Sequence, residues 1–365
     1  MITNEISQAG TSIWLDDLSR AKLTDSGPHG LPSRIARNGV VGVTTNPSIF
    51  NSAISNGAEY APAIAALQTK SAEEVVAQLT TDDVRSACDL FEETYRESHG
   101  VDGKVSIEID PRLARNTYES IRAGKHLWKI VGRPNAMIKV PATIEGLEVI
   151  TELISEGISV NATLIFSVER YLEVFRAFTK GLELRISKGE SVNEVTSVAS
   201  FFVSRIDTAV DAQLKKLGTP AASELLGKAA IANAVLAYEV FENESKRDQW
   251  LKLASYGARI QRPLWASTGV KDPQYDDTRY VVELIARNTV NTMPQATLDA
   301  VIDHGIFHGD TVTNSYEDAH RVFDSLREVG ISIPEITDFL EKDGVEKFAS
   351  SWRELLATVE KTLTT

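Results

Sequence analysis

Short apolar runs alternate along this chain with longer amphipathic segments. The short runs are rich in β-branched residues and are bounded by polar or turn-forming residues, which is typical of buried strands. We predict eight strands, at residues 11–16, 39–45, 104–110, 135–142, 158–166, 198–206, 262–268 and 288–294.

The segments between these runs have helical periodicity. In residues 71–98 and 167–189, apolar side chains recur at i, i+3, i+4 and i+7, and Ser71 and Glu74 have the spacing of a capping box. Alternating strands and helices predict parallel strands joined by helical crossovers. Eight such units favour a single (β/α)8 TIM barrel of the α/β class over a doubly wound sheet, which has the same local pattern.

Amphipathic segments follow the eighth predicted strand. The last segment carries an apolar stripe that comprises Phe348, Trp352, Leu355, Leu356 and Val359. We expect residues 1–365 to form one domain, in which roughly residues 305–365 form the last barrel helix and a C-terminal helical extension. The stripe predicts that this extension packs on the outside of the barrel or covers one of its ends.

Composition narrows the functional class. The 365 residues carry a formal net charge of -13 with both signs interspersed, which argues against nucleic acid and anionic membranes as partners. No apolar run has membrane-spanning length and the first residues do not resemble a secretion signal, so we expect a cytoplasmic protein. The one cysteine, Cys88, occupies an apolar position of a helical pattern and is predicted to be a core residue.

Polar residues lie near the carboxyl ends of the predicted strands. In a parallel barrel these ends meet at one rim, where active sites are built. Buried polar groups are costly unless they bond to one another or to a ligand, so we expect them to form a convergent cluster. The candidates are Asp16, Thr45, Asn46, Glu108, Asp110, Lys139, Asn161, Thr163, Arg205 and Asp207.

Lys139 lies between apolar neighbours in the run NAMIKVPAT, residues 135–143. A lysine attacks carbonyl groups only as the free amine, and apolar surroundings favour that form. The alternative is a strand lysine that faces water. A reactive lysine also needs carboxylates to move protons, and Asp16 and Glu108 are available. Hydrogen bonds to a substrate could come from Asn46, Asn161, Thr163 and Ser200.

Two motifs, GVTTNPSIF at residues 42–50 and MIKVPAT at residues 137–143, resemble those of the transaldolase family. The segments SIWLD, VSIEID, VNATLIFS and ASFFVSRID are similar to the first, third, fifth and sixth barrel strands of that family, and the resemblance covers most of residues 12–271. It implies a Schiff-base transferase of the pentose phosphate pathway, without metal or organic cofactor. Such an enzyme carries a dihydroxyacetone unit between sedoheptulose 7-phosphate or fructose 6-phosphate and glyceraldehyde 3-phosphate or erythrose 4-phosphate.

The resemblance also implies catalytic roles for four residues. Lys139 would form an imine with the ketose, and Asp16 would move the proton of the donor hydroxyl. Glu108 and Thr163 would position the water that leaves and later returns.

The substrate-binding residues implied by the resemblance are Thr45, Asn46, Asn161, Ser200, Arg205, Ser267 and Lys271. Asn46 and Asn161 would hold the dihydroxyacetone hydroxyls, and Arg205 would bind the phosphate with help from Ser267. Better-known members of the family have a second arginine two residues after this serine, where the present chain has Gly269. Lys271 and Arg262 are therefore the candidates for the second phosphate cation.

Three alternatives to a transaldolase stay open. A Schiff-base aldolase similar to fructose-6-phosphate aldolase would release free dihydroxyacetone, although the resemblance at Glu108 favours transfer. A barrel sugar-phosphate isomerase would use Glu108 as a base and Lys139 as an electrophile. A protein that binds sugar phosphates without turnover is the third alternative.

The sequence does not predict a metal site. His304 and His308 are four residues apart, but they flank a glycine in the segment HGIFHGD, which we expect to form a turn. Small-molecule sugar phosphates are the expected partners, and the oligomeric state is open between a monomer and a homodimer.

Overall fold

The computed structural model describes residues 1–364, and its centre is a closed barrel of eight parallel strands in the order β1 to β8. The strands are β1 Thr11–Leu15, β2 Val40–Thr44, β3 Lys104–Glu108, β4 Ala136–Pro141, β5 Val160–Ile165, β6 Ser197–Phe202, β7 Arg262–Ala266 and β8 Thr289–Met293. The predicted TIM barrel is therefore confirmed, and each predicted strand has its counterpart.

The register of the strands places several candidate residues at one level of the barrel. Glu108 on β3 lies opposite Lys139 on β4, which in turn lies opposite Asn161 on β5. The barrel closes where β1 pairs with β8, with Leu15 opposite Met293. Because all strands run in the same direction, their carboxyl ends form a single rim.

Helices cover the barrel and follow its strands. They are α1 Ile2–Ala9, α2 Arg20–Thr24, α3 Leu31–Asn38, α4 Pro47–Asn56, α5 Ala61–Ala65, α6 Ala72–Leu90, α7 Glu92–Glu97, α8 Thr117–Val131, α9 Ile144–Ser155, α10 Val168–Ser187, α11 Ser204–Leu217, α12 Pro220–Ser223, α13 Ala229–Ser245, α14 Asp248–Ser255, α15 Arg279–Val282, α16 Gln295–His304, α17 Tyr316–Glu328 and α18 Ile333–Leu363.

Side-chain caps fix the starts of helices close to the strand ends. The side chains of Asn46, Thr143 and Ser167 accept hydrogen bonds from N–H groups in the first turns of α4, α9 and α10. Ser71 and Glu74 form the predicted capping box of α6. These caps satisfy N–H groups that a helix leaves free, and they hold the connections at the rim short.

The sixth strand is shorter than predicted. β6 ends at Phe202, and α11 begins at Ser204, so Arg205 lies on the first turn of a helix and not on a strand. The apolar run continues across this junction because Val203 and Ile206 are both buried. A continuous apolar run therefore concealed the boundary between strand and helix.

The C-terminal extension covers the carboxyl-terminal rim. The helix that follows β8 ends at His304, and α17 and α18 lie beyond it. α17 packs against α13, whereas α18 packs against α4, α5, α6 and α11 and contacts β5. The sequence predicted two possible positions for the apolar stripe, and in the structure the stripe lies over one end of the barrel. Phe348 faces the rim and is 5% exposed.

Cys88 lies on α6 and is buried, which confirms its interpretation as a core residue. Burial raises the pKa of its thiol to about 12, so the thiol stays protonated at neutral pH. Within residues 1–364, no helix has both the length and the hydrophobicity needed to cross a bilayer.

Candidate active site

A cavity of about 130 Å³ opens at the carboxyl-terminal rim of the barrel. The predicted site residues that line it are Asp16, Asn46, Lys139, Thr163, Ser200, Arg205, Ser267 and Lys271. They come from six strands or the segments that follow them, and barrel closure brings them together. Glu108, Thr45 and Asn161 are buried beside this cavity without lining it.

Lys139 reaches the cavity from the inside of the barrel. Its Nζ donates a hydrogen bond to the carbonyl of Thr45 at 2.8 Å and lies 3.4 Å from Oε2 of Glu108. The apolar neighbours Ile138 and Val140 belong to the opposite face of β4, because side chains alternate along a strand. The amine is therefore buried, and its contacts are the polar groups of Thr45 and Glu108 and the ring of Phe348, not the apolar residues next to it in the sequence.

Two carboxyl groups act on the same amine. Burial raises the pKa of Glu108, which is 4% exposed, and the positive charge of Lys139 opposes that shift. Burial also raises the pKa of Asp16. The positive charge of Lys139 and a 2.6 Å hydrogen bond donated by the Thr44 hydroxyl lower this pKa, but the effect of burial is larger. Because burial raises both pKa values, the two groups are protonated more easily than carboxyl groups in water, which suits them to accept and return protons.

Unpaired polar atoms lie next to this amine. Apart from the 3.4 Å ion pair of Oε2 with Lys139, the carboxylate oxygens of Glu108 have no hydrogen-bond partner within residues 1–364, and the buried hydroxyl of Thr163 has none either. Thr163 lies within a register shift of β5 between Ala162 and Ile165, where Leu164 has a φ of 60°. Orphaned buried groups are rare in folded proteins, so these atoms are available to a water molecule or a substrate hydroxyl.

Asn161 is engaged inside the barrel. Its Nδ2 donates to the Ser106 hydroxyl at 3.0 Å, and its Oδ1 accepts a hydrogen bond from Ser200 at 2.6 Å. Ser200 lines the cavity, whereas Asn161 is fully buried behind it. In this geometry Asn161 positions Ser200. Asn161 was predicted to contact the substrate, but it does not itself line the cavity.

Thr45 also departs from its predicted role. Its hydroxyl donates to the carbonyl of Ser106 at 2.8 Å, away from the cavity, and its own carbonyl holds Lys139. Asn46 lines the cavity while its Oδ1 caps α4 by accepting from the N–H of Ile49. That cap leaves the amide nitrogen of Asn46 for a ligand.

The cationic end of the cavity is formed by Arg205 and Lys271. Nη1 of Arg205 is buried without a hydrogen-bond partner among the described residues. Burial lowers the pKa of this guanidinium, and the negative charge of Asp343 partly offsets that shift. Ser267 lies beside them with a left-handed φ of 56°, and its Oγ is 3.1 Å from that of Ser204. A non-glycine residue in this conformation is commonly found at functional sites.

Arg262 lies at the other end of the barrel. It begins β7, its Nη1 is 3.0 Å from Oδ1 of Asp102, and its Nη2 donates to Ser12 and to the carbonyl of Thr289. It is excluded as the second phosphate cation, which leaves Lys271 of the two candidates.

Two predicted members of the polar cluster have structural partners elsewhere. Asp110 binds Arg112 in the turn that follows β3. Asp207 accepts hydrogen bonds from the Tyr280 hydroxyl at 2.7 Å and from the N–H of Ala230 at 2.7 Å. Neither carboxylate lines the cavity.

Comparison with known proteins identifies the family. The transaldolase/fructose-6-phosphate aldolase family matches residues 13–359. The chain belongs to this family. A protein named transaldolase from an Arthrobacter species is 52% identical over 363 residues, which cover 99% of this chain and 97% of the relative. Transaldolases of Mycolicibacterium smegmatis and Mycobacterium tuberculosis are each 52% identical, over 96% of this chain and 94% of the relative.

Membership in the transaldolase/fructose-6-phosphate aldolase family confirms the resemblance that the motifs carried. The match extends well past residue 271 and includes α17 and most of α18, where no motif was recognised. The C-terminal helix that covers the rim is thus part of the matched region.

The structure of this family member also adds cavity residues that the sequence did not indicate. Among them are Thr44, Phe202, Thr292 and Pro294. The Thr44 hydroxyl donates a hydrogen bond to Asp16, and its Oγ1 lies 2.7 Å from Oγ1 of Thr292. The adjacent threonines of the TTN segment were a signal for Thr44, since alternation puts only one of them on the inner face. Phe348, a member of the predicted apolar stripe, also lines the cavity, although the stripe did not indicate that it would face Lys139.

The two histidines of HGIFHGD have no metal-site geometry. His304 ends α16 and pairs with Asp277 and Asp303 on the surface. Within residues 1–364, there is no group of three or more potential metal ligands.

Proposed function

We propose that this protein is a transaldolase that moves a dihydroxyacetone unit between ketose and aldose phosphates. The donors would be sedoheptulose 7-phosphate and fructose 6-phosphate, and the acceptors glyceraldehyde 3-phosphate and erythrose 4-phosphate. The observation that carries this proposal is the placement of the Lys139 amine beside two buried carboxyl groups at a cavity that Arg205 also lines. The relatives named transaldolase support it independently.

The first step joins Lys139 to the donor. The Nζ lone pair adds to the C2 carbonyl of the ketose, and the resulting carbinolamine loses its oxygen as water when an imine forms. This oxygen needs a proton to leave. Glu108 is well placed to give it, because Oε2 lies 3.4 Å from Nζ, and the free Thr163 hydroxyl can hold the departing water.

The second step breaks the bond between C3 and C4, because a three-carbon unit must leave a 2-ketose there. Asp16 accepts the proton of the C4 hydroxyl, the C3–C4 electron pair moves towards the imine nitrogen, and an aldose phosphate departs. The enamine that remains on Lys139 attacks the carbonyl carbon of the acceptor aldose. Asp16 then returns its proton to the new hydroxyl, and hydrolysis of the imine releases the product ketose.

The phosphate would bind at the cationic end. A guanidinium fork suits a phosphate group, and Arg205 has a buried N–H without a partner. Lys271 would supply the second cation, and Ser267 a hydroxyl.

The single buried cysteine is consistent with a cytoplasmic enzyme.

The decisive test is hydride trapping of the imine. Reduction with borohydride in the presence of fructose 6-phosphate is expected to attach the dihydroxyacetone or fructose phosphate skeleton to the peptide that contains Lys139. Lys139→Arg, which keeps the charge and removes the nucleophile, should give no adduct and lower transfer by at least about a thousandfold. An isomerase would leave Lys139 unmodified under the same conditions.

The family name includes a second activity, so an aldolase that releases free dihydroxyacetone is the second candidate. Both enzymes would form the same trapped adduct. An assay with fructose 6-phosphate separates them: a transaldolase consumes it only when erythrose 4-phosphate is present, whereas an aldolase produces free dihydroxyacetone without an acceptor. A protein that binds without turnover would do neither.

A further inference from the structure

A second cavity, of about 120 Å³, lies at the opposite end of the barrel from the candidate active site. Lys104, Arg259 and Arg262 line it together with Met137 and Ser197. Lys104 and Arg262 are the first residues of β3 and β7. The cavity is therefore built on the amino-terminal ends of the strands, and the sugar chemistry described above does not use it.

The amine of Lys104 is buried in an unusual way. The residue is 1% exposed, and its Nζ has no hydrogen-bond partner within residues 1–364. It lies 4.6 Å from the centroid of the Tyr95 ring, a contact that favours the ammonium form. A buried ammonium without an acceptor is nevertheless costly, and the uncharged amine avoids much of that cost.

The charges around Lys104 act in both directions. Burial lowers the pKa of Lys104 to about 7, and the cation of Arg259 acts in the same direction. Cys88, Asp102 and Glu194 oppose the shift. A substantial fraction of the amine is therefore uncharged, and nucleophilic, at neutral pH.

The walls of the cavity suit an anionic group. Arg262 uses its Nη atoms to bind Asp102 and Ser12, but its Nε is buried without a hydrogen-bond partner among the described residues. Arg259 adds a second guanidinium. Guanidinium groups bind carboxylates well, so a carboxylate formed in this cavity would find donors ready.

The reagent that reaches this amine must be small, because Nζ is buried away from bulk water. We propose that Lys104 binds carbon dioxide reversibly as a carbamate, which makes the amino-terminal end of the barrel a modification site. The four-carbon stem of the lysine lets the amine turn into the cavity. The cavity volume exceeds the roughly 30 Å³ that one water molecule occupies in the liquid, so a carboxylate group has room.

The reaction needs no further reagent. The lone pair of Nζ forms a bond to the carbon of carbon dioxide, and one carbon–oxygen π pair moves onto oxygen to give the carboxylate. The nitrogen then loses one proton to water. Nothing is oxidised or reduced, and the product is an anion beside Arg259 and Arg262.

The test uses the full chain equilibrated with ¹³C-labelled bicarbonate at neutral pH. Carbon NMR is expected to show a carbamate signal of roughly one equivalent, which disappears in Lys104→Arg and persists in Lys252→Arg, a change at an exposed lysine of α14. Alkylation of the carbamate followed by peptide mapping should place it on Lys104 in the unaltered protein. Arg259→Gln, which keeps Lys104 but removes a cation, should lower the occupancy several-fold.

Two results would overturn the proposal. One is a map that places the trapped carbamate only on the amino terminus or on exposed lysines. The other is a signal of undiminished intensity in folded Lys104→Arg. Peptide mapping of the unaltered protein decides the matter even if that variant fails to fold. The outcome is independent of transaldolase activity, because the two sites share no residue.

Discussion

At the residue scale, the candidate site concentrates three titratable side chains around one cavity. Lys139 lies 3.4 Å from Glu108, and its charge also acts on Asp16. Burial raises the pKa of both carboxyl groups, so each is more easily protonated than a carboxyl group in water. Such a site is useful for proton transfer and unfavourable for the stability of the fold at neutral pH.

Asp16→Asn is therefore expected to stabilise the fold at neutral pH while lowering transfer by about 10²- to 10⁴-fold. The folded-state pKa of Asp16 lies above the ordinary value of 3.8. Its contribution to stability is then fully present below the ordinary pKa and is lost as the pH rises through the raised value. Asparagine cannot ionise, so it avoids this loss. Thermal unfolding of both proteins at neutral and acidic pH measures the effect.

The gain in Tm from Asp16→Asn should shrink as the pH falls towards the ordinary carboxyl pKa. Asp17→Asn is the matched control, because Asp17 is a partly exposed neighbour that pairs with Lys22 at 3.0 Å. An equal gain from Asp17→Asn, or a gain that does not depend on pH, would contradict the explanation.

At the scale of elements, α18 is a cover fastened to the barrel rim. Glu341 on this helix accepts a hydrogen bond from Nη2 of Arg115 at 3.2 Å and lies 3.3 Å from Nη2 of Arg170 at the start of α10. These contacts hold the helix across the cavity. The centroid of the Phe348 ring is 5.8 Å from the Lys139 Nζ, so one aromatic ring of the cover closes the space above the amine.

Phe348→Ala is expected to increase the release of free dihydroxyacetone relative to transfer. Removal of the ring admits water to the enamine, which is then protonated and hydrolysed before an acceptor arrives. The lost packing should also lower the free energy of unfolding by about 3–5 kcal/mol. Product analysis with fructose 6-phosphate and urea unfolding measure the two effects.

Phe339→Ala on the same helix is the control for this change. Its side chain is 61% exposed, so both product partition and unfolding free energy should stay near those of the unaltered protein. The role of the cover would be refuted by a Phe348→Ala protein that unfolds more easily but partitions its products as before.

At the scale of the whole molecule, the barrel separates function from structural support. Its carboxyl-terminal rim carries buried polar atoms that have no hydrogen-bond partner among the described residues, on Glu108, Thr163 and Arg205. At its amino-terminal end, Arg262 links β7 to β8, to Ser12 on β1 and to Asp102. The two arginines therefore differ in their contacts: Nη1 of Arg205 has no hydrogen-bond partner among the described residues, whereas both Nη atoms of Arg262 form hydrogen bonds.

Replacing each arginine by methionine should separate the two roles. Arg205→Met is expected to raise KM for phosphorylated substrates about 10- to 100-fold, since it removes a charge-assisted hydrogen bond of about 1.5–3 kcal/mol. Its stability should change little. Arg262→Met should lower the free energy of unfolding by about 3 kcal/mol, because it removes the cationic partner of Asp102 and leaves only the hydrogen bond from Ser12, and should keep KM near normal. Steady-state kinetics and urea unfolding of both variants check this; exchanged effects would contradict the assignment.

The sequence alone determined that the chain forms a barrel and that its reactive groups lie near the carboxyl ends of the strands. Alternating strands and helices depend on local periodicity, and eight parallel strands can bring their carboxyl ends to one rim whatever the outer helices do. Lys139 and Asp16 were placed correctly at that rim because their position near a strand end is a local property. The roles assigned to these residues stay predictions until imine trapping is done.

Only the tertiary structure decided which side chains face the cavity. Thr44 and not Thr45 points inward, Arg262 lies at the far end, and Phe348 returns from the C-terminal helix to cover Lys139. These facts depend on the register of strand pairs, on the exact junction between β6 and α11, and on contacts between residues far apart in the chain. Periodicity describes one element at a time, whereas the direction of a side chain inside a closed barrel is set by packing among all eight strands and the helix across their ends.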